Sequence, residues 1–182
     1  MVDELHQQRL TLQETMNFLG ALASGIEAAV GEPAKTISYL AGEKLGMRFS
    51  ENAEKTDDIE KAMIEVNRIL GENQCHWDFE PFQTKGCPNL VQHRENGDEI
   101  MLVFRDCMIR QSLFMFGHHQ RGSLCNMMFG FFSGALKNIM GRESRLEIVH
   151  AGENACYKRL TVQSGAGAAQ VAAAALPAAQ PT

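Results

Sequence analysis

SLCNMMFGFFSGALKNIM, running from Ser123 to Met140, is the stretch whose reading decides the fold. Leu124, Met127, Met128, Phe129, Phe131, Phe132, Leu136 and Ile139 leave it almost no polar face, so it reads as a helix buried on most sides and stopped by Gly141.

Downstream, Leu146 and Ile148 alternate with Arg145 and Glu147, and Tyr157, Leu160 and Val162 form a second run across the turn Ala151–Asn154. Two strands that close a sheet are expected there. Upstream, Arg105–Gly122 fits either a strand or a buried helix. Before it, Glu99–Phe104 reads as an apolar strand behind the turn Asn96-Gly97-Asp98. Cys75, Trp77 and Phe79 alternate with His76, Asp78 and Glu80 as a half-exposed strand, so the pair suggests a hairpin, with Gln83–Gln92 as loop. Three helices come first. Leu12, Met16, Leu19, Leu22 and Ile26 mark Leu10–Val30, ended by Gly31. Pro33 starts a second helix with Ile37, Leu40, Ala41 and Leu45 on one face, and Gly42 and Gly46 let a neighbour approach. Thr56 suits the N-cap of a third, Asp57–Leu70, which Gly71 stops. The class is α+β.

The 182 residues hold one ordinary domain, placed at 1–162; residues 163–182, mostly Ala, Gly, Gln and Pro, read as a disordered tail. Hydrophobic residues at 45% and charged residues at 21% exclude a fibrous or disordered design for the rest. The net charge is −5 and the seventeen basic residues are scattered, so direct nucleic-acid binding is not expected. The polar opening lacks a secretory signal, and no apolar stretch reaches the roughly 18 residues of a spanning helix, so a cytoplasmic protein without a membrane span is expected. Five cysteines, an odd number, point to thiols or metal ligands rather than a disulfide framework.

Cys107, Cys125, His150 and Cys156 all sit at expected element ends. Three thiolates and an imidazole held by stiff elements satisfy a closed, structural tetrahedral zinc (Zn) site, with Glu147 able to replace Cys107 as an oxygen donor. An iron-sulfur cluster is the alternative, and simple burial of small apolar thiols is the competing reading. Cys75 and His76 point to opposite faces of one strand, which spoils a second site with Cys87. His118-His119 read as a polar loop, or as ligands to a haem or metal.

CNMMFGFFSGAL (Cys125–Leu136), EIVH (Glu147–His150) and GENACYKRL (Gly152–Leu160) follow one another in an order that resembles 4-vinyl reductase (hydrocarbon-binding) domains. Those carry a Cys entering a small-faced helix, a strand ending in E-x-x-C, and a G-D-x-x-C hairpin. Here Gly130 and Gly134 supply the small face, His150 stands where the family often has Cys, and the following turn is two residues shorter. The resemblance implies a fold similar to trafficking-complex (TRAPP) subunits, with helices packed on a twisted antiparallel sheet. It also implies a homodimer, with residues 1–30 as a dimerising helix. By carry-over, Cys125, Glu147, His150 and Cys156 look like its zinc positions, and Cys107 is similar to a cysteine of some members.

Ten Met and ten Phe, concentrated in Met101–Met140, offer adaptable apolar surface for a pocket, and each also reads as ordinary core. The candidate ligand-binding residues are Trp77, Phe104, Phe114, Phe116, His118, His119, Met128 and Phe132. No nucleophile–base pair, phosphate loop or dinucleotide fingerprint is present, so catalysis is not expected. The reading is a sensor or accessory module that binds a hydrophobic or aromatic small molecule, braced by a structural metal and read by a protein partner. One alternative is a tetrapyrrole-binding accessory factor of pigment or haem metabolism, with His118 or His119 as axial ligand. The other is a protein-interaction scaffold.

Overall fold

The computed structural model describes residues 2–75, 77–105, 107, 109, 121–152 and 155–164, with side chains at 11 and from 14 onward. Among these lie α1 (Val2–Val30), α2 (Pro33–Phe49), α3 (Ile59–Glu72) and α4 (Ser123–Met140), with strands β1 (Phe79–Pro81), β2 (Val91–Arg94), β3 (Gly97–Arg105), β4 (Ser144–Ala151) and β5 (Ala155–Gln163). The sheet is antiparallel in the order β1-β3-β5-β4, with β2 also beside β3. This is the expected α+β architecture of helices on an antiparallel sheet. No described helix is long and apolar enough to cross a membrane.

The helix boundaries follow local chemistry. α1 begins at Val2 rather than Leu10, because Glu4, Leu5, Gln7, Gln8 and Arg9 are good helix formers without needing an apolar stripe. It ends at Gly31, whose φ of +66° is a left-handed value that costs glycine nothing, and Pro33 then occupies the first turn of α2. The cap of α3 is Asp58, not Thr56: the Asp58 carboxylate accepts the N–H groups of Glu60 (2.9 Å) and Lys61 (3.2 Å). Negative charge at the positive end of the helix favours this choice, and the Thr56 hydroxyl accepts the Asp58 N–H instead.

The expected hairpin is also re-drawn. β3 turns through Glu95 and Asn96 onto β2, whose first two residues fall in the stretch expected as loop, and of the strand expected at Cys75–Glu80 only Phe79 and Glu80 lie in β1. Val91–Arg94 carries no clear apolar alternation; its pairing comes from the backbone of β3. Gly97 closes this turn at φ +138°, and a β-carbon there would lie 2.1 Å from the Val162 carbonyl oxygen on β5.

α4 is covered on one side by the sheet and on the other by α2. The α2 seam is glycine against backbone. A β-carbon on Gly42 would stand 1.9 Å from the Met127 oxygen and one on Gly130 1.9 Å from the Tyr39 oxygen; at Gly46 and Gly134 the gaps to Phe131 and Glu43 oxygens would be 2.1 Å. The small faces foreseen on both helices therefore meet each other. One consequence corrects the reading of α2: it buries Ala34, Gly42 and Gly46, while Ile37 and Leu40, expected to face the core, are each 50% exposed. Close backbone approach wins over the bulkier face. Glu27 ties α1 to this unit, its carboxylate accepting both the backbone N–H (2.8 Å) and the hydroxyl of Ser123 at the α4 N-terminus.

Candidate functional site: an aromatic layer, a buried lysine and a basic cleft

β5 alternates strictly, so Cys156, Lys158, Leu160 and Val162 all face α4. Their register partners on β3 include Phe104 opposite Cys156 and Leu102 opposite Lys158. From above, α4 contributes Cys125, Met128 and Phe132, spaced to share one face. Phe132 packs edge-on to Phe104 (5.6 Å between centroids) and Phe79 (5.2 Å), and Trp77 packs edge-on to Phe131 (5.4 Å). The sequence-predicted ligand residues Trp77, Phe104, Met128 and Phe132 are thus all buried in one layer. Phe114, Phe116, His118 and His119 lie outside the described residues.

Lys158 is the residue that sequence reasoning missed. It is 2% exposed, its Nζ donates to Met128 Sδ at 2.8 Å, and it lies 3.7 Å from the Phe104 ring centroid and 5.7 Å from that of Phe129. Burial pulls its ammonium below the ordinary lysine value, against the neighbouring Cys107, Cys125 and Cys156 thiols, which act to raise it. Burial likewise pushes the Cys125 thiol up, opposed by the Arg121 backbone and by Lys158. A signal for Lys158 did exist: the second run was read through Tyr157, Leu160 and Val162, yet Tyr157 is out of phase with the other two. Strict alternation from Val162 and Leu160 leads back to Lys158 and Cys156.

The expected metal ligands divide between the two faces of the sheet. Cys125 and Cys156 are buried on the inner face, in electrostatic reach of Cys107 and Lys158. Glu147 faces outward, paired with Arg159 (3.2 Å) and Arg145 (3.7 Å). His150 is also outward and exposed, for a specific reason: β4 shifts register between Ile148 and His150. Without that bulge the alternation from Ile148 would set His150 opposite Cys156; with it, His150 pairs with Tyr157, and Ala151 stands opposite Cys156. Among the described residues no three His, Cys, Asp or Glu side chains converge as a metal-holding group. In this geometry the foreseen set with Glu147 and His150 does not close around a single ion, and the ammonium of Lys158 beside the thiols adds repulsion toward a dication.

A cleft of about 360 Å³ opens beside this layer, lined by Lys35, Tyr39, Arg121, Asn126, Phe129, Arg145, Leu146, Glu147 and Ile148. It combines apolar Phe129, Leu146 and Ile148 with the cations Lys35, Arg121 and Arg145 and the carboxylate Glu147. Arg121 holds a left-handed φ of +75°, with its guanidinium donating to the Ile148 carbonyl at 3.1 Å and its own carbonyl accepting from Asn126 at 3.0 Å. A non-glycine residue in that conformation stores strain of about 1 kcal/mol or more, which these bonds offset.

No protein-family model matches the sequence, and no curated protein matches it. Among solved structures, the chain is similar to the crystal structure of the phenol-responsive sensory domain of the transcription activator PoxR with phenol, with a TM-score of 0.62 and 17% sequence identity over 92% of this chain and 82% of that one. At that identity the likeness is one of fold: this chain shares with that domain the packing of its helices on an antiparallel sheet.

Proposed function

We propose that this chain is a sensory or binding module that takes a small aromatic or hydrophobic molecule between α4 and the inner face of the sheet, without chemical turnover. The observation that carries the reading is the layer of Trp77, Phe79, Phe104, Phe131 and Phe132 under α4, the helix whose Asn126 and Phe129 also line a cleft of about 360 Å³, at the lower end of the size range of small-molecule pockets. The fold likeness to a sensory domain crystallised with phenol supports it by analogy. A planar aromatic guest would find both stacked and edge-to-face partners among these rings, the two arrangements that aromatic pairs prefer.

The chain contains a single tryptophan, and it lies in this layer, so its emission reports on the site. Titration of the purified protein with phenol, toluene and naphthalene should give saturable changes in Trp77 fluorescence, with matching heats by calorimetry. A flat response to all three, in both measurements, would sink the proposal.

A further inference from the structure

Lys158 occupies a position where the strand pattern calls for an apolar side chain: Cys156 and Leu160 flank it on the same face, and Leu102 and Ile148 are its register partners. At 2% exposure its ammonium has lost its water, and what it has gained is a thioether sulfur and the faces of two rings. Methionine sulfur is a weak acceptor, and cation–π attraction recovers only part of the several kcal/mol that burying an ammonium costs. Among the described residues no carboxylate pairs with it. Leucine would fill the same space without that cost. The nearby thiols of Cys107, Cys125 and Cys156 are weak counter-charges, because burial keeps the Cys125 thiol protonated to higher pH.

The cleft leads toward this group. Phe129 belongs to both, lining the cleft while its ring centroid lies 5.7 Å from the Lys158 Nζ, and Ile148 lines the cleft while pairing with Lys158 across the strands. The cleft carries Lys35, Arg121 and Arg145, with Arg159 beside them, against the carboxylates of Glu147, held by Arg159 and Arg145, and of Glu32, held by Lys35, so the cations outnumber the anions. Such a cleft draws anions toward it.

We propose that Lys158 reads an acidic group on the guest: a carboxylate or phenolate oxygen carried by an otherwise apolar aromatic molecule, which enters by the basic cleft past Phe129 and pairs with the buried ammonium. The ring of the guest joins the aromatic layer; its oxygen replaces the Met128 sulfur as the partner of Nζ. This rests on the small-molecule reading above and narrows it to aromatic acids.

The test is a comparison of benzoate with benzamide and phenol at neutral pH, by Trp77 fluorescence and calorimetry, on the native chain and on Lys158→Met. The native chain should bind benzoate about tenfold or more tighter than benzamide, the advantage of a charge-assisted hydrogen bond. Lys158→Met should lose that preference and bind benzamide as before. Equal affinities in the native chain, or a preference that survives in Lys158→Met, would overturn the assignment; equal affinities are also what a thiolate counter-ion to Lys158 predicts. If Lys158→Met does not fold, the native comparison decides by itself, with Lys158→Gln as second variant. Binding of phenol and benzamide without benzoate removes only the role of Lys158. Binding of none of the three removes the small-molecule reading and this inference together.

Discussion

The two sides of α4 are built on opposite principles. Toward α2, Gly130 and Gly134 lie against the Tyr39 and Glu43 backbone, and Gly42 and Gly46 of α2 against that of Met127 and Phe131, so closely that a single methyl group would overlap backbone oxygen. Toward β5, the same helix lays Cys125 and Met128 over a buried lysine held by sulfur and ring faces. One side is a joint with no freedom to repack. The other keeps a charge that the fold does not need, beside adaptable methionine and aromatic surface. On the proposed function, stability and recognition are separated across the diameter of one helix.

Substitutions can break or sharpen that contrast. Gly130→Ala should have the largest effect, a loss of about 3 kcal/mol or more in chemical denaturation, because the clash is with the Tyr39 backbone and not with a movable side chain. A near-neutral result would mean that α2 and α4 are not locked as described. Lys158→Met should act in the reverse direction, raising stability by about 1–2 kcal/mol, since an apolar side chain of similar volume removes a buried charge. Marked destabilisation there would show that the ammonium is part of the scaffold.

Asp58→Ala, at the cap of α3 and away from both sides of α4, sets the scale of an ordinary local loss: about 1 kcal/mol by the same assay. Smallest and most conditional is Glu65. Its carboxylate accepts from Arg68 (2.6 and 2.8 Å) and from the Glu54 N–H (2.8 Å), and the Arg68 bond holds its pKa below the ordinary 4.5. A carboxyl lowered in the folded state adds stability above its unfolded value and loses it as the pH falls through the folded one. Glu65→Gln should therefore be less stable than the native chain at neutral pH, with the gap closing as the pH drops below about 4.5. A gap that does not depend on pH would assign Glu65 a packing role instead.

The elements with strong periodicity were legible in the sequence: α4, the pairing of β4 with β5, and the glycine faces of α2 and α4 follow from residue type and spacing. The differences from the structure have separate causes. Helical spacing puts Ile37 and Leu40 on one apolar face of α2 with Ala41 and Leu45, yet the glycine face takes the place against α4. Val91 and Gln92 carry no alternation that marks a strand and are expected as loop, yet the backbone of β2 pairs with β3. Within the site, Trp77, Phe104, Met128 and Phe132 were named from composition and do share one layer, whereas Lys158 was passed over by starting the strand's count at Tyr157.

The sequence by itself determined the four helices, the strand at β3, the pair β4 and β5, and that α4 must be covered all round, because apolar spacing and glycine placement act locally. Only the tertiary structure decided which face each residue meets. One extra residue after Ile148 turns His150 away from Cys156, and the pairing of β3 with β5 puts a lysine over Phe104. Side-chain direction in a sheet has a period of two, so a shift of a single residue, invisible in composition, reverses what a strand presents to the core.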